Sequence, residues 1–277
     1  MIFTVRVWKA LLMAALIACL SSVQAQPGLV IKGKGNNSFN TGEELRYKAT
    51  FGFFTVGHAI TRVDRAIHPV NGKPCYKIDA FGETSDWVSW LAKVDDNWGA
   101  YLDTATVSTQ ISYRRLREGR YRLDELTQFD HKAGKAEVKV RDKKTNAYKV
   151  SKTFPIQPYA TDLIGGFIHL RFIEFSRLKP GDSITIAGFL EDTAYNLRIL
   201  YKGRSVINTK LGKIPCYELI PKMPDNRLFD GENSITVWVS EDPNRIPVRI
   251  MAKMFIGSTG IELDGYSKLR HPLRMAK

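Results

Sequence analysis

Ile235, Val237 and Val239 alternate with Thr236, Trp238 and Ser240, and beyond Glu241-Asp242-Pro243-Asn244 a second run sets Val248, Ile250, Ala252 and Met254 against Arg249, Met251 and Lys253. A period of two belongs to a pleated strand with two different faces. Proline presets the φ of a type I turn, and Asp and Asn bond back to their own backbone, so the tetrapeptide between the runs predicts a β-hairpin. The same period returns at Leu45, Tyr47, Ala49 and Phe51, in residues 73–80 after the turn pair Asn71-Gly72, and through residues 95–101, 107–114, 119–129 and 135–141. Residues 183–189 and 195–203 resume it. A chain patterned this way is mainly β and must build a curved antiparallel sheet, as a barrel or half-barrel.

Two stretches change period. In residues 84–93, Trp87, Trp90 and Leu91 fall at i, i+3 and i+4, with Thr84 or Ser85 as N-cap, which predicts a short tryptophan-bearing helix. In residues 161–178, Leu163, Ile164, Phe167, Ile168, Phe172 and Phe175 sit close to helical spacing behind Thr161 or Asp162, which predicts a central helix. Gly165-Gly166 weakens it by about 1 kcal/mol per glycine relative to alanine and permits a close approach to the sheet or a bend. Around it lies a faint echo: Gly72-Lys73-Pro74-Cys75-Tyr76-Lys77-Ile78 against Gly212-Lys213-Ile214-Pro215-Cys216-Tyr217-Glu218-Leu219. We expect a single β-rich domain over 41–277, with two similar halves, 41–154 and 179–277, joined by the helix 161–178.

Residues 1–25 have the basic start (Arg6, Lys9), the apolar core and the Val23-Gln24-Ala25 site of a signal peptide. Leu16-Ile17-Ala18-Cys19 also reads as a lipobox, which makes Cys19 a lipidation candidate. Both readings send the chain to the periplasm or cell envelope. A polar linker is expected over 26–40. Cys75 and Cys216 are the cysteines of the body, candidates for a disulfide in an oxidising compartment or for two buried thiols. The formal charge of +13 favours acidic partners, yet its clusters are short and interrupted. Nucleic-acid binding is not expected, because no motif accompanies the charge and export argues against it. A membrane-spanning barrel conflicts with the charge on residues 119–124 and 135–144, so the mature chain is expected to lie near a membrane without crossing it.

No catalytic constellation is apparent. His58, His68, His131, His169 and His271 are scattered without ligand spacing, and no glycine loop matches a phosphate cradle, so neither metal nor cofactor is expected. Asp95-Asp96 and Glu241-Asp242 read as solvated edge or turn residues, and His169 with Glu83 lacks any sequence context for a triad.

Six pieces, taken in order, carry a family resemblance: G-E-E-L-R-Y-K-A-T-F-G-F-F-T-V-G at residues 42–57, A-Y-L-D at 100–103, D-L-x-x-x-F-x-x-L-R at 162–171, K-P-G-D at 179–182, G-K-I-P-C-Y-E-L-I-P at 212–221, and the hairpin W-V-S-E-D-P-N-R-I-P-V. With them the chain resembles the uncharacterised bacterial envelope family known as domain of unknown function 3108, which brings no catalytic residue. More distantly it is similar to periplasmic lipoprotein carriers, half-barrels that bind lipid.

The function expected is that of a non-enzymatic binding or carrier module for an apolar or lipid-like ligand with an anionic head group, lined by Trp87, Trp90, Phe167, Phe172 and Trp238. The alternative is a structural or assembly protein that meets an envelope partner through its outer surface; a glycan or peptide hydrolase stands behind both. An open apolar space between sheet and helix favours the first, and a close-packed interior the second.

Overall fold

The computed structural model describes residues 35–90, 93–142, 144–222, 231, 233–255 and 257–277. Residues 1–25, expected to be a signal segment, and the lipidation candidate Cys19 among them lie outside the described residues. Among the described residues eight strands come first: β1 (Glu44–Phe51), β2 (Phe54–Val70), β3 (Lys73–Thr84), β4 (Asp95–Asp103), β5 (Thr109–Glu118), β6 (Tyr121–Asp130), β7 (Lys135–Arg141) and β8 (Tyr148–Pro155). Six follow: β9 (Ser183–Leu190), β10 (Thr193–Thr209), β11 (Gly212–Pro221), β12 (Ile235–Ser240), β13 (Pro247–Lys253) and β14 (Ser258–Ser267). They form one 14-stranded antiparallel curved sheet in the order β8 to β1 and then β14 to β9, so two meanders are joined where β1 pairs with β14. Helix α1 (Asp86–Ser89) lies between β3 and β4, and α2 (Leu163–Leu170) lies between the meanders.

The alternation that predicted the hairpin sorts its side chains as expected. Ile235, Val237, Val239, Ile250 and Ala252 are buried, and Asp242 Oδ1 accepts from the Asn244 amide at 2.9 Å and the Arg245 amide at 3.3 Å in the turn. The echoed segments take corresponding places. Each opens the strand that follows a 17-residue strand, β3 after β2 and β11 after β10.

The sheet wraps its main core around α2, whose Leu163, Ile164, Ile168 and Leu170 pack with Ile78, Trp98, Ile184 and Val237. The edges β8 and β9 meet through side chains. Phe154 and Phe129 lie against Phe189 at centroid distances of 5.5 and 6.1 Å, and Lys152 pairs with Asp192 at 2.9 Å. Thr161 adds a one-residue parallel bridge to β9, donating to Ala187 O at 3.0 Å and accepting from the Phe189 amide at 2.8 Å.

Two expectations change. The central helix stops at Leu170, and the rest of 161–178 holds only a 3₁₀ turn at Phe175–Arg177. The Arg171 and Phe172 amides bond three residues back, which tightens the last turn, and the Arg171 carbonyl accepts from Ser38 Oγ at 2.9 Å. With that carbonyl satisfied from outside the helix, nothing calls for another turn. The polar linker also ends early: Phe39 is fully buried, edge-on to Tyr76 at 5.1 Å and to Phe172 at 6.2 Å.

Candidate functional site

On the inner face of β1 to β3, Leu45, Thr61 and Ala80 lie abreast, then Tyr47, Ala59 and Gly82, then Ala49, Gly57 and Thr84. Most of these positions carry small side chains. A helix packed over them cannot be met at interior density, because there is too little side-chain volume between the two layers. A cavity of about 110 Å³ results, bounded by Leu45, Tyr47, Ala49, Ala59, Ala80 and Gly82 on the sheet side and by Leu163, Ile164, Phe167 and Ile168 of α2. A smaller one of about 40 Å³ lies toward β9–β12, against Gly166, Ile186, Leu197, Ile199 and Val237. Leu163, Phe167 and Ile250 border both, so the Phe167 ring partitions one apolar space.

Both ends of α2 are pinned. At its N-terminus Asp162 is buried and accepts from the Ile164 and Gly165 amides at 3.1 Å each and from Thr109 Oγ1 at 2.7 Å. Burial pushes its carboxyl up to about 6, against these bonds, which favour the charged form. Gly165 is what lets the helix come so close: a Cβ there would sit 1.8 Å from Thr161 Oγ1 and 2.8 Å from Thr109 Oγ1, whereas a Cβ on Gly166 would meet nothing within 4 Å.

At the C-terminus Arg171 turns inward to Glu43, each only 2% exposed, with Nη2 to Oε2 at 3.0 Å. The guanidinium also donates to Ser38 O at 2.7 Å and Asn244 O at 2.9 Å, and it lies 5.2 Å from the Phe39 ring centre. Asn244 is itself fixed to His271 by two bonds, its Nδ2 donating at 2.9 Å and its Oδ1 accepting at 2.8 Å. Pieces far apart in sequence, 42–57, 162–171 and the hairpin turn, therefore meet at one buried ion pair that closes this end of the cavity.

Of the five residues expected to line a ligand site, Phe167 alone borders the cavities. Phe172 packs on Phe39 instead. Trp238 lies on the face opposite Val237 and Val239, across from Arg249 and Glu218. Trp87 and Trp90 are 57% and 82% exposed. The short helix is a single turn at the strand ends, where Trp87 Nε1 donates to Thr55 O at 3.1 Å and the ring lies 6.1 Å from Phe54. Cys75 and Cys216 are free buried thiols rather than a disulfide, and burial pushes them up to about 11 and about 12.

The groups weighed for chemistry are engaged elsewhere. His169 Nδ1 lies 2.7 Å from the Gly165 carbonyl, and burial lowers its basicity. Asp96 accepts from the Arg117 amide at 2.8 Å, and Glu241 pairs with Arg204 at 3.3 Å. Among the described residues no three His, Cys, Asp or Glu side chains converge as metal ligands, and no helix is long and apolar enough to cross a membrane.

The sequence outline agrees with one family. The model for DUF3108, a protein of unknown function, matches residues 46–264. The chain belongs to the DUF3108 family. No curated protein matches it. In fold this DUF3108 protein is similar to a β-barrel-like protein of the DUF1849 family from Brucella abortus, with a TM-score of 0.53 and 10% identity over 83% of this chain and 99% of that one. A candidate lipoprotein from Parabacteroides distasonis aligns at 10% identity over 84% of this chain and 100% of that one, with a TM-score of only 0.29.

Proposed function

We propose that this DUF3108 protein is an exported binding or carrier module of the cell envelope that holds the apolar part of a lipid-like ligand between α2 and the inner face of β1 to β3. The supporting observation is the cavity of about 110 Å³ beneath the helix. Left empty, a void of that size costs about 2–3 kcal/mol at roughly 24 cal/mol per Å³. Larger side chains at Ala49, Ala59 or Ala80 would remove the cost. For scale, an engineered apolar cavity of about 150 Å³ admits benzene. As built, the space takes a short run of methylenes, and rotation of Phe167 joins it to the second cavity for a longer one. A polar head group stays outside, because the lining offers it no free partner: Arg62, at the border, is already paired with Glu44 at 2.7 Å. A structural or assembly role for the outer surface would be served by a filled interior.

The test is equilibrium binding of straight-chain alkanoates of increasing length to delipidated protein, beside an Ala80→Phe variant that fills the cavity. Saturable binding that strengthens with chain length and is lost in the folded variant is expected. Failure of every chain length to bind, or equal binding by the variant, would refute it.

A further inference from the structure

Register places the β1–β2, β3–β4, β5–β6 and β13–β14 connections along one rim of the sheet. Phe51 pairs with Phe54 and Thr259, the Gly52 amide donates to Ser258 O at 2.8 Å, the Ser85 amide donates to Val56 O at 3.0 Å, and the Gly119 amide donates to Lys93 O at 2.8 Å. Among the described residues, the four most exposed aromatic side chains lie on this rim. Phe53 is fully exposed, Phe54 is 65%, Phe255 64% and Trp90 82% exposed, and Trp87 leans on Phe54. They sit on three neighbouring connections, so they form one apolar fringe rather than scattered surface residues.

Cations flank the fringe. Lys93, Arg120 and Lys253 are exposed, with the exposed carboxylates Glu83, Asp86 and Asp95 on the β3–β4 side of the rim, and among the described residues none of the three cations is held in an ion pair. The chain as a whole carries +13. Aromatic side chains with lysine and arginine around them suit the boundary between head groups and acyl chains, where ring and charge are both satisfied. An acyl-chain interior alone would not hold the cations, and a neutral protein surface would leave them without partners.

We infer that this rim docks the protein onto an anionic lipid bilayer, with Phe53, Phe54, Trp90 and Phe255 inserted among the head groups and Lys93, Arg120 and Lys253 meeting lipid phosphates. The docking stands on the rim and not on the cavity. It also gives the cavity a direction: its lining reaches Ala49 and Gly82, each two residues short of the strand ends at Phe51 and Thr84 on this rim.

The test uses the chain expressed with its own leader, recovered as the cell processes it, with Cys19→Ala to remove any lipid anchor. Flotation with vesicles of phosphatidylethanolamine and phosphatidylglycerol is compared with vesicles of phosphatidylcholine alone. Binding to the anionic vesicles, weaker in high salt, with a blue shift of tryptophan emission that Trp90→Phe diminishes, is expected. Phe53→Ser/Phe54→Ser/Trp90→Ser should reduce partitioning at least tenfold with an unchanged unfolding midpoint, and Ala80→Phe should leave it intact. No binding at low salt, equal binding to both vesicles, or undiminished binding by the triple variant overturns the inference. So does a wild-type dimer that the triple variant converts to monomer without any vesicle binding, since the occupant is then a second copy.

Discussion

Replacing Arg171 by methionine isolates the buried pair that ends the helix. The substitution keeps most of the aliphatic volume and removes the guanidinium, which leaves the Glu43 carboxylate 2% exposed with its ion pair gone. Breaking a buried pair from one side typically costs about 3–5 kcal/mol, because the surviving charge has been taken from water and is no longer compensated. The carbonyls of Ser38 and Asn244 also lose donors, at about 1–3 kcal/mol for a buried acceptor left unmade. Relaxation of the 36–40 segment, which reaches Arg171 through Ser38, offsets part of that. A loss of about 4 kcal/mol is expected, a large share of the 5–15 kcal/mol typical of a folded domain. The assay is urea unfolding followed by far-UV circular dichroism and tryptophan emission together, for Arg171→Met, Glu43→Leu and the double variant. The double variant should be more stable than Arg171→Met by about 2 kcal/mol, since it buries no lone charge. A loss below about 1 kcal/mol for Arg171→Met, or a double variant as unstable as the two single losses added, would refute the assignment of this pair as a coupled structural node.

The two adjacent glycines of α2 should respond in opposite directions. Gly165→Ala drives a methyl group into Thr161 Oγ1 and should cost about 1–3 kcal/mol, while Gly166→Ala points into open space and should gain about 0.5–1 kcal/mol in thermal or urea unfolding. Asp162 titrates at about 6 in the folded chain against an ordinary 3.8, so the fold favours its protonated form. That contribution is complete below the unfolded value and is lost as pH rises through the folded one, about 3 kcal/mol between roughly pH 4 and 6. Asp162→Asn, which keeps an oxygen for the cap, should flatten the stability profile in that window; parallel profiles for wild type and variant would contradict it. Cys75 and Cys216 should both react with a thiol reagent only after denaturation, and peptide mapping under non-reducing conditions should recover both as unlinked thiols.

Strand period, the turn chemistry at Asp242 and the helix start at Asp162 were legible because each depends on residues close in sequence. The extent of the helix was not, since what ends it is Ser38, 133 residues away, bonding the Arg171 carbonyl. The expected ligand residues failed for a related reason. Aromatic identity does not tell which side of a strand end a ring will occupy, and Trp87 on a one-turn helix and Trp90 just after it are left largely exposed at the strand ends. The informative residues of the cavity are small ones, Ala49, Ala59, Ala80 and Gly82, whose significance appears only once β1 to β3 are paired. The ion pair did leave a trace. Glu43 shares the parity of the inward Leu45 and Tyr47, and Arg171 continues the stripe of Leu163, Ile164, Phe167 and Ile168, so each apolar face carries one charge of opposite sign. Pairing those two misfits would have located the buried node. Phe53 and Phe54 beside Gly52 were a second such trace, aromatic rings at a turn where no core can reach them.

A route into the cavity, for the ligand proposed above, follows from how α2 is held. Its first turn is tied by Asp162 and Thr161 to β5 and to the bridge on β9, and its C-terminus is tied through the C-cap residue Arg171 to Glu43, Ser38 and the turn before β13. A lid that swings from either end would break a fully buried carboxylate cap or a buried ion pair, each worth several times the thermal energy. The helix therefore acts as a fixed wall, and the movable group between the cavities is the side chain of Phe167. Rotation of a ring needs no backbone opening and belongs to far faster motions than displacement of a packed element. Of the two ends of the larger cavity, the one at Glu43 and Arg171 is shut by that pair, while the one at Ala49 and Gly82 lies beside the aromatic rim. A chain entering from a bilayer docked at the rim would meet small side chains first and the Phe167 ring next, so Phe167→Trp should slow loading with little change in membrane docking, whereas Phe167→Ala should lengthen the alkyl chain accepted.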